Sequence, residues 1–359
     1  MKKSIFMVAL AALAMTSCSQ DEILEVNQDE IKFSAFTENA SRATAVTSIN
    51  DFKTYAYVGG TKYIDGLVAT NNGGVYKFAE QGYYWPASAV NFYSVYPSTL
   101  SLTKDASTEA HSLEFTVDSD DNVDLLYSVL IGAVKGNATA GKIGLNFRHA
   151  LSMVEFKVSS LGTYGLDVNV SQIELVNVKQ TREFTLPLVS TTPWLDENPD
   201  ADATTVDGAS RGSWADNTNT TSATYTWGVS LAADATSGDA TSAASGTFFL
   251  MPQTFTPATP VNGTWSNTYF LISCTIEKNG VMIHDTATNG KVAIPALGVG
   301  STTEWKQGYK YQYTLTFGSG AGYQENKTDA VVVPMSFSVT VDQFQNATET
   351  TNVTAPVVG

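Results

Sequence analysis

Few residues of this chain are equipped for chemistry: three histidines and two cysteines in 359 residues. Gly208-Ala209-Ser210-Arg211-Gly212 fits the G-x-S-x-G pattern, which works by placing its serine on a sharp turn between a strand and a helix. Neither element flanks it, and no base stands near Ser210, so a hydrolase is the weakest reading. Gly318-Ser319-Gly320-Ala321-Gly322 follows a strand pattern. Tyr323, however, replaces the third glycine of a dinucleotide fingerprint, and Gln324-Glu325-Asn326 opens no amphipathic helix. His111, His149 and His284 have no second histidine or cysteine at ligand spacing, which argues against zinc, and His149 reads as a packed side chain. Asp118-Ser119-Asp120-Asp121-Asn122-Val123-Asp124 lacks the glycine and terminal glutamate of an EF-hand loop. It reads as an exposed acidic turn, as does the cluster Asp196, Glu197, Asp200 and Asp202. No catalytic residue, metal or cofactor is expected, and the chain does not read as an enzyme.

The cysteines point to processing instead. Lys2 and Lys3 precede an apolar run from Ile5 to Met15, and Thr16-Ser17-Cys18 follows. That is a charged start, a short apolar core and small residues before a cysteine. About eleven apolar residues are too few to cross a bilayer as a helix. Small residues before a lone cysteine resemble a bacterial lipobox, which implies a signal peptide over residues 1–17 and acylation of Cys18 as the new N-terminus. Several acyl chains on one residue exceed what stable anchoring requires. An ordinary signal peptide that contains a cysteine is the alternative. Cys274 is then left without a disulfide partner, and in Phe270-Leu271-Ile272-Ser273-Cys274 it reads as a small buried residue. The formal charge of -15 argues against nucleic acid and anionic lipid, both of which would be repelled.

The remainder must be built from strands. Beyond residue 30 the apolar stretches alternate, or are β-branched and aromatic, and none sustains helical spacing. Tyr309, Tyr311, Tyr313, Leu315 and Phe317 alternate with polar residues in strict period two, as do Met335, Phe337, Val339 and Val341. Further strands are expected at 55–58, 90–96, 113–117, 143–147, 153–158, 168–178 and 248–251. Asn279-Gly280 between two runs is the strongest short hairpin signal. In Val90 to Tyr96 both alternating sets are apolar, so that strand is expected to be covered on both faces. Many short strands with turns between them suggest an all-β protein of two tandem sandwiches. Residues 43–165 form the first and 166–359 the second, with the break near Gly165. From Ser190 to Gly246 the composition turns to Thr, Ser, Ala, Asp, Asn and Gly. This reads as a long polar loop carrying Trp194, Trp214 and one short strand over 223–227.

Several stretches together resemble the fimbrillin family, subunits of lipoprotein-derived type V pili of Bacteroidales. They are the lipobox with Ser19-Gln20-Asp21-Glu22, Glu30-Ile31-Lys32-Phe33-Ser34-Ala35 with Arg42, Tyr84-Trp85-Pro86, and Asn91-Phe92-Tyr93-Ser94-Val95-Tyr96-Pro97. Asp124-Leu125-Leu126-Tyr127, Leu145-Asn146-Phe147-Arg148-His149-Ala150-Leu151-Ser152, Phe249-Leu250-Met251-Pro252-Gln253 and Trp305-Lys306-Gln307-Gly308-Tyr309-Lys310-Tyr311 continue the series. The resemblance implies transthyretin-like sandwiches, export as an outer-membrane lipoprotein, and a cut between Arg42 and Ala43 by an arginine-specific protease. Residues 18–42 are then a propeptide with a removable first strand. A strand from the C-terminal region of another subunit fills the groove so opened, and Met335 to Val341 match that donor region. Many relatives place a tryptophan after this strand, where Phe344 stands here. Asp285-Thr286-Ala287 also looks like the O-glycosylation motif of these bacteria.

The residues support part of this independently. Ile31, Phe33 and Ala35 alternate with Lys32 and Ser34, so the segment before Arg42 can hide one face in a sheet, and its loss would leave an apolar groove and an unpaired edge. Such an edge accepts a strand through main-chain hydrogen bonds and alternating side-chain pockets. Two alternatives stand beside it: Arg42 as a plain linker residue, and Met335 to Val341 as an ordinary internal edge strand. The expected function is a cell-surface fimbrial subunit, polymerising with its own or related subunits and contributing to adhesion to a host or bacterial ligand. The competing one is an anchored lipoprotein that binds glycan through Trp194 or Trp214.

Overall fold

The computed structural model describes residues 29–37, 49–79, 82–191, 209–215, 223–258, 260–261, 264–296, 303–318, 323–324, 335–343 and 348–349. Nine strands come first: β1 (Phe33–Thr37), β2 (Asp51–Val58), β3 (Thr61–Asn72), β4 (Val75–Phe78), β5 (Val90–Tyr96), β6 (Thr103–Lys104), β7 (His111–Thr116), β8 (Leu126–Ala133) and β9 (Ile143–His149). There follow β10 (Ser152–Ser160), β11 (Leu166–Val178), β12 (Thr181–Thr185), β13 (Ser213–Trp214), β14 (Ala223–Asp234), β15 (Ala240–Thr241), β16 (Phe248–Leu250), β17 (Gln253–Thr254), β18 (Pro260–Val261) and β19 (Thr264–Trp265). The last are β20 (Tyr269–Lys278), β21 (Val281–Asp285), β22 (Val292–Pro295), β23 (Glu304–Trp305), β24 (Tyr309–Phe317), β25 (Tyr323–Gln324), β26 (Met335–Gln343) and β27 (Thr348–Glu349). The protein is all-β, as its alternation indicates.

The N-terminal strands close into a barrel in the order β1-β4-β3-β2-β5-β8-β9. Period two explains its two-sided wall. Val90 and Phe92 of β5 point into the barrel core with Phe33, Phe52 and Phe147, whereas Tyr93 and Val95 belong to a second core. The strand is covered on both faces, as its composition predicts. A four-stranded sheet, β13-β12-β7-β6, lies over the outer face of this wall. His111 of β7 stacks on Tyr93 at 3.7 Å, and Phe184 of β12 meets Tyr127 of β8 at 4.9 Å.

Two six-stranded sheets make up the rest, one running β15-β10-β24-β26-β27 with β16 beside β10, the other β14-β11-β20-β22-β25 with β21 beside β20. They face one another through Phe156, Trp227, Phe270 and Tyr313, the Phe270 and Tyr313 rings being 5.1 Å apart. Tyr309, Tyr311, Tyr313, Leu315 and Phe317 are all buried, the face predicted from their spacing. At the β20–β21 hairpin Asn279 and Gly280 both have positive φ, 53° and 75°, the backbone a two-residue primed turn demands.

Two features differ from expectation. Ala223 to Trp227 is the start of a strand that runs on to Asp234 and pairs with β11. Its second half, Gly228 to Asp234, sets only Val229 and Leu231 among small and polar residues, so it resembles loop in composition. Ser190 and Thr191, expected to open a solvated loop, bond into the barrel wall beside β8. After β9 the chain leaves the barrel at Ala150-Leu151, and β10 pairs with β24 in parallel and with β16.

Candidate functional site

The expected removable segment, Ile31, Phe33 and Ala35, lies at the closure of the barrel. β1 is the one bridge between β4 and β9 among the described residues. It runs parallel to β9 from Phe33 opposite Ile143 to Thr37 opposite Phe147, and antiparallel to β4 at Phe33 opposite Tyr76. Just before it, the Ile31 N–H donates to Tyr83 O at 2.6 Å, the Trp85 N–H donates to Asp29 O at 3.2 Å, and the Ile143 N–H donates to Lys32 O at 2.8 Å.

The side chains follow the alternation. Ile31 and Phe33 are 0% exposed, and Ala35, half-buried, packs against the same core. Phe33 is ringed edge-on by Phe52, Phe78 and Phe92 at 5.8, 5.9 and 5.4 Å. On the opposite face Phe36 is 56% exposed. Full burial of residues this size contributes about 1.5–3 kcal/mol each. Taking β1 away would therefore leave a slot with an aromatic floor and two strands each lacking a ladder partner on the side that β1 held. Arg42 and Ala43, and Cys18 before them, lie outside the described residues.

Met335, Phe337, Val339 and Val341 fall on β26. This strand is antiparallel to β24 over its whole length, from Phe317 opposite Met335 to Tyr309 opposite Gln343. On its other side β27 touches it only at Val341 and Asp342. The two expected partners of strand exchange, β1 and β26, lie in different sheets of the chain.

Other residues singled out from the sequence behave as follows. Trp214 is not an exposed platform for sugar: its indole N–H donates to Ala150 O at 2.8 Å and its ring packs on Phe184 at 4.8 Å. Trp194 and the 196–202 acidic cluster lie outside the described residues. Ser210 is fully buried, and the neighbouring Gly212 N–H donates to the Tyr127 hydroxyl at 3.0 Å.

His149 does more than pack. Its Nδ1 is hydrogen-bonded to Asp124 Oδ2 at 2.6 Å with both side chains fully buried. Asp124 thus turns inward from the acidic stretch read as exposed. That stretch is also pinned by Asn122, whose Nδ2 donates to Thr247 O at 2.8 Å and whose Oδ1 accepts from the Phe249 N–H at 2.9 Å. Gln307 completes the cluster, donating to the Tyr127 hydroxyl at 3.0 Å and to His149 O at 3.2 Å. The pairing joins residues 25 apart in sequence, and no local pattern announces it.

Cys274 is a buried free thiol, pushed up to about 12 by burial. Thr286 of Asp285-Thr286-Ala287 is engaged at the same place, its hydroxyl accepting from the Cys274 N–H at 2.8 Å and donating to Cys274 O at 3.0 Å. His111 is buried between Tyr57 and Tyr93. Among the described residues neither of its ring nitrogens has a hydrogen-bond partner.

A family model described as fimbrillin-like matches residues 19–341. No curated protein matches the chain. Among solved structures, a fimbrilin from Porphyromonas gingivalis is 11% identical, covers 88% of this chain and 98% of its own, and superposes with a TM-score of 0.43. A candidate cell adhesion protein from Bacteroides ovatus is 12% identical over 89% and 99% of the two chains, with a TM-score of 0.45. Another from Bacteroides uniformis is 13% identical over 88% and 98%, with a TM-score of 0.43.

Proposed function

This chain belongs to the fimbrillin-like family, and on that premise we propose that it is a cell-surface fimbrial subunit. In this reading it is exported with lipid on Cys18, cut between Arg42 and Ala43 by an arginine-specific protease, and polymerised by a strand entering the slot that β1 vacates. The observation that carries the reading is the position of β1: the sole described bridge between β4 and β9, with Ile31 and Phe33 fully buried, a few residues ahead of the only arginine before Arg148. A strand so placed can leave without cutting any other strand from its neighbours, and the edges it exposes favour replacement over collapse.

For the C-terminal strand one observation favours a second reading. β26 is already housed in its own sheet, with nine register pairs to β24. It serves as donor only if it parts from β24; otherwise it completes the second sandwich, and this chain accepts a strand without giving one.

Treatment of the purified full-length protein with an arginine-specific protease, followed by sedimentation and electron microscopy, tests the proposal. Cut protein should form fibres, and Arg42→Ala protein should stay monomeric. Fibres of Arg42→Ala protein as abundant as those of the wild type would sink it. Replacing Phe337 and Val339 by Asp separates the two roles of β26: a donor loses polymer and keeps its thermal transition, whereas an internal strand loses the fold.

A further inference from the structure

The barrel has a second irregular seam, on the far side of β9 from β1. β8 and β9 begin as antiparallel partners, Leu126 opposite His149 and Tyr127 opposite Arg148, and there the ladder stops. Continued in the same register it would set Val129 opposite Asn146 and Ile131 opposite Gly144. Ser190 and Thr191 stand between them instead. The Thr191 N–H donates to Val129 O at 2.8 Å, and the Val129 N–H donates to the Thr191 hydroxyl at 3.0 Å. That hydroxyl reaches Asn146 O at 2.8 Å, the Asn146 side-chain amide donates back to Thr191 O at 3.4 Å, and the Ile131 N–H donates to Ser190 Oγ at 2.9 Å. Thr191 is 2% exposed.

Two residues brought from downstream thus occupy the ladder positions through which β8 would bind β9. The consequence falls on β9. From Ile143 to Phe147 its ladder partner is β1, and across the seam Asn146 bonds Thr191 rather than β8. A β9 that lost β1 would present free backbone groups, and an open edge takes the nearest strand available. Those groups face β4 across the slot, and the tie that holds β9 back from it is on the other side, where the Thr191 hydroxyl joins Val129 of β8 to Asn146 of β9.

We propose that Ser190-Thr191 is a spacer that ties β9 at a set distance from β8, and so fixes the width of the slot between β9 and β4 into which an incoming strand fits. The proposal rests on the reading that β1 is removed and replaced. Thr191 is a positioning residue: it touches the wall of the slot and not the strand that enters. Its hydroxyl serves both strands, which no apolar side chain of that shape can do.

Hydrogen exchange on the full-length chain, read peptide by peptide, tests the spacer without reference to polymer. Thr191→Val removes the hydroxyl at nearly constant volume, and Thr191→Ser keeps it. Thr191→Val should speed exchange over Ile143 to Phe147 and at Val129 and Ile131 by roughly tenfold or more, as expected for local opening. Thr191→Ser should stay close to the wild type. Peptides of β11 should be unchanged in both, which distinguishes a displaced β9 from a general loss of stability. After the arginine-specific cut, Thr191→Val should also polymerise more slowly, by about the same factor, with Thr191→Ser restoring the rate. Unaltered exchange in β9, or a Thr191→Ser protein as impaired as Thr191→Val, would overturn the spacer. Wild-type protein that stays monomeric after the cut would overturn strand replacement, and the exchange data from the intact chain then decide the role of Thr191 at the seam.

Discussion

Phe33 meets Phe92 edge to face, with ring centroids 5.4 Å apart and planes at 89°, so the strand that closes the barrel rests on a strand of the barrel's two-sided wall. An arrangement of this kind adds about 0.5–1.5 kcal/mol beyond the area it buries. Phe33 makes three such contacts.

Phe33→Ala in the uncut protein should therefore lower stability by about 3–5 kcal/mol, the usual cost of emptying an aromatic site in a core. Urea denaturation followed by tryptophan fluorescence measures it. A loss below about 1 kcal/mol would show that β1 contributes little to closure.

Asp124→Ala leaves His149 buried without its carboxylate. Leaving a buried polar group without its hydrogen-bond partner costs about 1–3 kcal/mol, and a drop of that size in urea-derived stability is expected. His149→Ala should cost a similar amount, and the double variant less than the two losses added together, because the pair is already broken by either change. Simple additivity would mean that the 2.6 Å contact has no energetic weight.

The protein should lose stability on acidification partly through His111. Burial, with Lys104 nearby, holds this imidazole down at about 4 against an ordinary 6.5. Between those values the unfolded chain takes up a proton that the folded chain refuses. The contribution is whole above pH 6.5, declines as pH falls, and is gone below about pH 4, a change on the order of 2–3 kcal/mol. His284, also lowered by burial, acts in the same direction. His111→Gln should flatten the stability profile between pH 4 and 6.5, and an unchanged slope would refute the assignment.

Cys274 should resist maleimide labelling in native protein at pH 8 and react fully in denaturant, since burial both raises its thiol to about 12 and blocks access. Rapid labelling of the folded protein would contradict its place inside the sheet.

Strands with strong contrast between faces were legible in the sequence, and those that mix small and polar residues were not. β24 alternates Tyr, Leu and Phe with Lys, Gln and Thr, so its buried face could be read residue by residue. β3 could not be anticipated, because Asp65 and Gly66 interrupt it. Gly66 has a φ of 64°, and a side chain there would meet the Tyr55 ring, with the hydroxyl 2.8 Å away, a bulge that no spacing rule reveals. The alternation of Ile31, Phe33 and Ala35 announced a half-buried strand, yet its two neighbours, β4 and β9, come from distant parts of the chain. The Asp124–His149 pair and the Ser190-Thr191 insertion were hidden for the same reason: polar residues in turn-like stretches look solvated until the fold supplies a distant partner.

The two-sided wall of β2, β5 and β8 bears on how such a molecule carries tension. Phe52 and Ala56 of β2 and Phe92 of β5 fill the barrel, while Tyr55 and Tyr57, Tyr93 and Val95 on the same strands join a core that extends to Tyr313 and Phe317. A pull applied at the β1 slot is handed across one shared wall of interlocked rings, with no slack tether between the barrel and the sheets behind it. Stretched end to end, the barrel should not yield separately at low force; the wall must shear as a unit, and both cores resist together.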